Sequence, residues 1–326
     1  MRVIEISDYN YNTMELAKPI YDQKGRILLA AGNAIHPKYL QKLLELGITY
    51  VVVEDTSSRG ITLDEMVDMP TWIDAIKTVQ QAFEQVEKQA PIPIKDIQVT
   101  ASKLLQEVKV RKAVLLVPST STAKEIQPYA HAVNVALIAL QMGKQLQYND
   151  IQQRDLAIGC LLHDIGKAVT SDEAKHPFEG FTILRSIREF NLLSAHIAYQ
   201  HHEKVNGTGY PRQLKKDEVL EFAQVCSVAN RYEQLLSIDR VPPYEAVEKI
   251  MSLTDVDYKH SVVNSFFKGV PSYLPGTSVR LSTGETGIVT RINSHLHRPC
   301  VRVEETGKEL SLADDPTILI KEELNA

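Results

Sequence analysis

Cysteine is scarce in this chain. Cys160, Cys226 and Cys300 are the only three in 326 residues, they lie far apart, and none forms a CxxC pair. This argues against a structural zinc knuckle and leaves Cys160 and Cys226, in apolar helical segments, as buried free thiols. An excess of positive charge is missing too. With 36 Lys and Arg against 41 Asp and Glu the net charge is −5, which argues against a broad surface for a nucleic-acid polymer. A small anionic ligand stays possible, because a bound metal supplies positive charge locally. No apolar run approaches the length of a membrane span. The opening "MRVIEISDYN" lacks the cationic-then-apolar order of a secretory leader. The expectation is a cytoplasmic protein without internal repeats or low-complexity tracts.

What is present is an ordinary globular composition, 44% hydrophobic and 24% charged, in a chain long enough for two or three domains. Residues 1–68 read as a small α/β module: a turn at Lys24-Gly25 between extended segments, a helix "HPKYLQKLLELG" opened by His36-Pro37, and a strand "ITYVVVED". Residues 69–270 are helical nearly throughout. "TWIDAIKTVQQAFEQVEKQ" and "IKDIQVTASKLLQEVKV" are amphipathic, whereas "HAVNVALIALQMGKQL" and "IQQRDLAIGCLLHDIGK" are apolar enough for the centre of a bundle. "HPFEGFTILRSIREF", "LLSAHIAYQHH" and "KDEVLEFAQVCSVANRYEQLLSI" follow as helices. Residues 271–326 alternate apolar and polar around glycine turns and read as a short β module. The fold class is mainly α.

Six of the ten histidines, His131, His163, His176, His196, His201 and His202, fall between residues 131 and 202 of this helical stretch, and Asp164 adjoins His163. Burying so many imidazoles without partners is expensive. A metal ion gives each a strong partner, and helix ends in a bundle bring residues remote in sequence to one place. Nitrogen donors with a bridging carboxylate suit iron or manganese, and zinc less exclusively. His196 stands apart: five residues before His201 is about 140° of helix, so it faces elsewhere.

In order, "YAHAVNVALIAL", "LLHDIGK", "HPFEGFTIL", "HHEKVNGTGYP" and "VANRYEQLLSIDR" resemble the HD-GYP family, HD-type helical bundles that hydrolyse cyclic di-GMP with divalent metals. The resemblance covers most of the helical segment, core motifs 127–240, and the tail "YLPGTSVRLSTGETGIV" is similar to the β module that often follows. It implies two divalent metal ions held by His131, His163, Asp164, His176, His201 and His202, with Asp164 bridging. A hydroxide between the metals then attacks phosphorus. It implies Lys167 on a phosphate oxygen, so that Asp164 and Lys167 carry the catalysis. The substrate would lie against Asn206, Gly207, Gly209, Tyr210 and Pro211, the glycines letting backbone approach the ligand and Tyr210 packing on a ribose or base. Lys167 as a helix C-terminal cap is the bland alternative. Glu203 reads equally as an orienter of a histidine or as a solvated charge.

The chain departs from the family pattern at three places. Asn230 stands where an aspartate ligand is usual, and an amide oxygen is a weak one. Gln127 replaces a glutamate associated with a third metal, which favours two. Only "IGKAVTSDEAK" separates Asp164 from His176, a shortened segment. A rival reading is therefore an HD-GYP protein that keeps the fold, binds nucleotide or protein partners in second-messenger signalling, and has lost turnover. A phosphohydrolase for another nucleotide is a third reading, disfavoured by "NGTGYP". A homodimer is compatible with each.

Overall fold

The computed structural model describes residues 1–324 apart from Glu65, Glu189 and Ser294. It is mainly α-helical and divides into two compact units. One comprises 1–66, 120–127 and 271–326; the other comprises 67–119 and 128–270. The flanking modules, expected as separate pieces, thus fall into one unit together with residues 120–127.

In the first unit, β1 (Arg2–Glu5), β5 (Tyr50–Glu54) and β2 (Glu15–Leu16) form an antiparallel sheet in the order β1-β5-β2. The pair β3 (Ile20–Tyr21) and β4 (Ile27–Leu29) flanks the turn at Gly25, whose φ of 65° is left-handed. Helix α1 (Pro37–Glu45) is capped by His36, whose ring accepts from the Lys38 amide. Ile4, Leu16, Ile35, Leu43 and Val53 make a small core. The C-terminal strands β6 (Ser278–Leu281), β7 (Thr286–Arg291), β8 (Cys300–Val303), β9 (Glu309–Ser311) and β10 (Ile320–Glu323) form an antiparallel sheet ordered β10-β6-β7-β8-β9. A second core of Val279, Leu281, Val289 and Val301 packs on it.

The second unit is the helical bundle: α2 (Met69–Glu87), α3 (Ile94–Lys109), α4 (Gln127–Gln145, from Pro128 on), α5 (Asp150–Leu161), α6 (His176–Arg185), α7 (Leu192–Gln200), α8 (Glu221–Ser237), α9 (Pro243–Ser252) and α10 (His260–Gly269). Every residue from Ala132 to Gly143 of α4 is buried. A helix apolar on all sides has nowhere to go but the centre. Asp68, Asn149 and Asn191 cap α2, α5 and α7 by accepting backbone N–H groups, and Gln152 completes a capping box on α5. Two expectations shift here. The helix expected from Lys216 starts only at Glu221, after a 3-10 turn at Lys216–Glu218. Residues 110–126 break the helical run: the β-branched and apolar "AVLLV" is buried as extended chain ending at Pro118. Cys160 and Cys226 are buried free thiols, as is Cys300.

Candidate metal centre

Helix α5 stops at Leu161, and its C-cap Leu162 leaves the helical region at φ −115°. His163 and Asp164 follow at this break, and a 3-10 turn (Ile165–Ala168) carries Lys167. The turn lies directly on the start of α6. A Cβ on Gly166 would fall 2.0 Å from the His176 carbonyl oxygen and 2.6 Å from the Gly180 nitrogen. Glycine at 166 is what lets Asp164 and His176 meet. Helix α7 likewise ends at Gln200, with His201 as its C-cap and His202 just beyond, their ring centroids 4.1 Å apart.

These ends converge. Asp164 Oδ1 lies 3.1 Å from His176 Nε2 and 3.5 Å from His201 Nε2, while Oδ2 lies 3.5 Å from His163 Nε2 and 3.0 Å from Lys167 Nζ. His131, from α4, packs its ring 5.4 Å from that of His163. Two groups with metal-ligand chemistry result, each with donor atoms within 4.8 Å of one another: Asp164, His176, His201 and His202, and His131, His163 and Asp164. Asp164 belongs to both.

The histidines are oriented from behind. Nδ1 of His163 donates to the Cys160 carbonyl at 2.8 Å, and Nδ1 of His201 to the Ala198 carbonyl at 2.9 Å. A carbonyl only accepts, so both rings carry hydrogen on Nδ1 and present a bare Nε2. His131 Nδ1 donates in a short bond to the buried Glu233 carboxylate. Nε2 of His163 and of His202 are buried without a hydrogen-bond partner. Buried lone pairs without donors are costly in a protein interior and are what a divalent cation takes up. The donor set fits such an ion.

Electrostatics follow from burial and from one another. Burial opposes ionisation of Asp164, but His163, His176, His201 and Lys167 outweigh it and hold the carboxyl well below its ordinary range. Burial pushes the His163 pKa down to about 3 and also lowers those of His201 and His202. His131 loses to burial but gains more from Glu233, and its pKa rises; Lys167 is likewise raised by Asp164 against burial. The three lowered imidazoles bind protons less readily folded than unfolded. Their stabilising effect is therefore complete above their ordinary value of 6.5 and is lost as pH falls below it. His131 has the opposite sign. The melting temperature of the metal-free protein is thus expected to fall between pH 7 and pH 5, about the unperturbed histidine value. Calorimetry with chelator checks this; a flat or rising profile would contradict it.

The remaining expected residues have local tasks. Lys167 is no helix cap: its Nζ pairs with Asp164 and, at 3.6 Å, with Glu173. Glu203 is neither solvated nor behind a histidine. It is buried and accepts the Arg212 and Leu214 amides at 2.7 and 2.9 Å, clamping the glycine loop. Asn206 Oδ1 accepts from Thr208, and its Nδ2 donates to Asp257. Gly207 has φ +83°, and a Cβ on Gly209 would meet the Lys204 nitrogen at 2.4 Å and the His202 oxygen at 2.5 Å. Both glycines serve the loop's own close packing. Tyr210 stacks on His202 with centroids 4.5 Å apart, and a cis peptide joins it to Pro211. Asn230 is buried, and its Oδ1 accepts from Gln234 of the same helix at 3.1 Å. Gln127 donates to the Gly47 and Thr122 carbonyls. His196 packs on Phe181 and Tyr199, away from the ligand groups.

Two carboxylates went unread in the sequence. Glu233, one helical turn beyond Asn230, is the buried partner of His131; the i, i+3 spacing on an apolar helix was its available signal. Its other oxygen accepts from Ser237 and from Asn134, and Asn134 accepts in turn from the indole N–H of Trp72 at 3.0 Å. Glu173, in the short segment before His176, carried no sequence signal.

Residues 129–235 match the HD domain family model. A cyclic di-GMP phosphodiesterase of Pseudomonas aeruginosa is 30% identical over 183 residues, covering 49% of this chain and 44% of that protein. One from Thermotoga maritima is 27% identical over 45% of this chain and 46% of its own length. A 3'3'-cGAMP-specific phosphodiesterase of Vibrio cholerae is 28% identical over 58% and 42%. The matched stretch is thus less than half of each of these relatives. The solved structure of a "HDG'Y'P" protein from Bdellovibrio bacteriovorus shares the fold at a TM-score of 0.52 and 18% identity, over 81% of this chain and 97% of that one. No helix among the described residues is long and apolar enough to cross a membrane. Within the helical unit, residues 129–235 are thus similar to HD domains.

Proposed function

We propose that the chain hydrolyses the phosphodiester bonds of cyclic di-GMP with two divalent metal ions, iron or manganese. The observation that carries this reading is the membership of Asp164 in both ligand groups. One carboxylate shared by two sets of imidazoles is the layout a dinuclear site requires. The pair of cations, when bound, supplies a water-derived nucleophile at neutral pH and neutralises charge at phosphorus. His131, His163 and Asp164 would hold one ion and Asp164, His176, His201 and His202 the other. Lys167, cationic beside Asp164, faces a position where a phosphate oxygen gains a second positive partner. Tyr210, stacked on His202, offers a ring face to a base or ribose. The three curated relatives named above are phosphodiesterases of cyclic dinucleotides, which supports this substrate class.

One observation favours the rival, a nucleotide-binding signalling protein without turnover: Asn230 is neutral, and its oxygen is already engaged by Gln234. Anaerobic purification, metal analysis and a hydrolysis assay on cyclic di-GMP with Fe(II) and Mn(II) separate the two. The enzyme reading expects metal-dependent release of linear dinucleotide or GMP. Nucleotide binding without product supports the rival. Asn230→Asp is expected to raise metal affinity and rate by roughly tenfold, given that even supporting residues around a metal change affinity by about 10- to 100-fold. Unchanged metal content and rate would remove the idea of an under-liganded site.

A further inference from the structure

Of the five histidines in the two ligand groups, His131, His163 and His201 each have an acceptor behind the ring, and His176 does not. His163 and His201 donate Nδ1 to carbonyls of their own helices, and His131 donates to the buried Glu233. His176 is fully buried, its Nε2 turned to Asp164 and His201, yet its Nδ1 has no hydrogen-bond partner. The carboxylate facing that nitrogen is that of Glu173, with Oε2 at 3.6 Å. The same oxygen stands 3.6 Å from Lys167 Nζ. Glu173 is otherwise solvent-exposed, at 71% of its side chain. A surface carboxylate held between a buried imidazole and the site lysine is explained neither by core packing nor by helix pairing.

We propose that Glu173 is a positioning residue for the metal held by Asp164, His176, His201 and His202. Its carboxylate, 3.6 Å from His176 Nδ1, favours hydrogen on that nitrogen by charge, and so the tautomer that leaves Nε2 bare and more basic. Glu173 lies three positions before His176, in the segment that joins the 3-10 turn to α6. His131 and His176, one from each group, are thereby each backed by a carboxylate, one buried and one at the surface. This inference rests on the metal-site reading but not on hydrolysis.

The test is equilibrium binding of Mn(II) alone to the full chain, with no substrate present. Glu173→Ala is expected to weaken one of the two manganese sites by about tenfold or more, the usual range for such outer partners. Glu173→Gln removes the charge and is expected to share most of that loss. The melting temperature without metal is expected to stay at the wild-type value in both variants. The loss should be the same size in a Lys167→Met background, because it acts through His176. Wild-type manganese affinity in Glu173→Ala would overturn the proposal. So would a loss that disappears when Lys167 is replaced, which would assign the effect to the lysine. A protein that binds manganese in this pattern but releases no product would defeat the phosphodiesterase reading and leave the role of Glu173 standing.

Discussion

Asp164→Ala is expected to empty both candidate metal positions and, with them, to remove the proposed hydrolysis. Asp164 faces His163, His176, His201 and Lys167 at once, and it is the one residue common to the two ligand groups. Replacing it takes a ligand from each group and the anion from a buried cluster whose other members are neutral or positive. Metal affinity is expected to fall more than about 100-fold at both positions, beyond the range of outer-partner losses. Hydrolysis should drop by at least about a thousandfold, equivalent to roughly 4 kcal/mol of transition-state stabilisation. Asp164→Asn, with nearly the same shape, should share the metal loss while keeping the fold. Elemental analysis after desalting and a titration with Mn(II) provide the check. Two metal equivalents retained in Asp164→Ala would remove the shared-carboxylate assignment.

Gly166→Ala is the second large effect, and it arises from one methyl group. The added carbon would sit 2.0 Å from the His176 carbonyl oxygen and 2.6 Å from the Gly180 nitrogen. Both obstacles are backbone, so no rotamer change relieves the overlap. Either the 3-10 turn lifts off α6 or the start of α6 shifts, and each movement separates Asp164 from His176. Overpacking of this kind costs about 3 kcal/mol or more, which for a domain of ~200 residues lowers Tm by roughly 10 °C. Metal binding is expected to be lost in the material that remains folded. Wild-type melting and wild-type manganese affinity together would show that the turn has room to spare.

The helices were legible because their signals are local. Asn149 with Gln152, Asn191, and Pro37 after His36 mark helix starts through hydrogen bonds that span a few residues. The convergence of His131, His163, His176 and the 201–202 pair was legible only through motif order, since no local pattern says which helix ends meet. What the order implied about roles was harder. The glycines of "NGTGYP" looked like an opening for a ligand, whereas Gly209 is required by the chain's own backbone at His202 and Lys204. Glu203 reads as an ordinary surface charge until the fold returns Arg212 and Leu214 to it. Glu233 and Glu173 were missed for the same reason. The partner of Glu233 lies on another helix and that of Glu173 only three positions on, yet a carboxylate on a helix or loop gives no sequence hint of which imidazole it will meet.

The hydrogen-bonded line from Trp72 through Asn134 and Glu233 to His131 has a practical corollary. The chain contains a single tryptophan, and its indole is buried with its N–H tied to that line. Fluorescence excited at the indole therefore comes from one chromophore in one setting. A change in the charge held by His131 is expected to reach it across two side chains, which would make the indole an intrinsic optical gauge of the candidate metal centre.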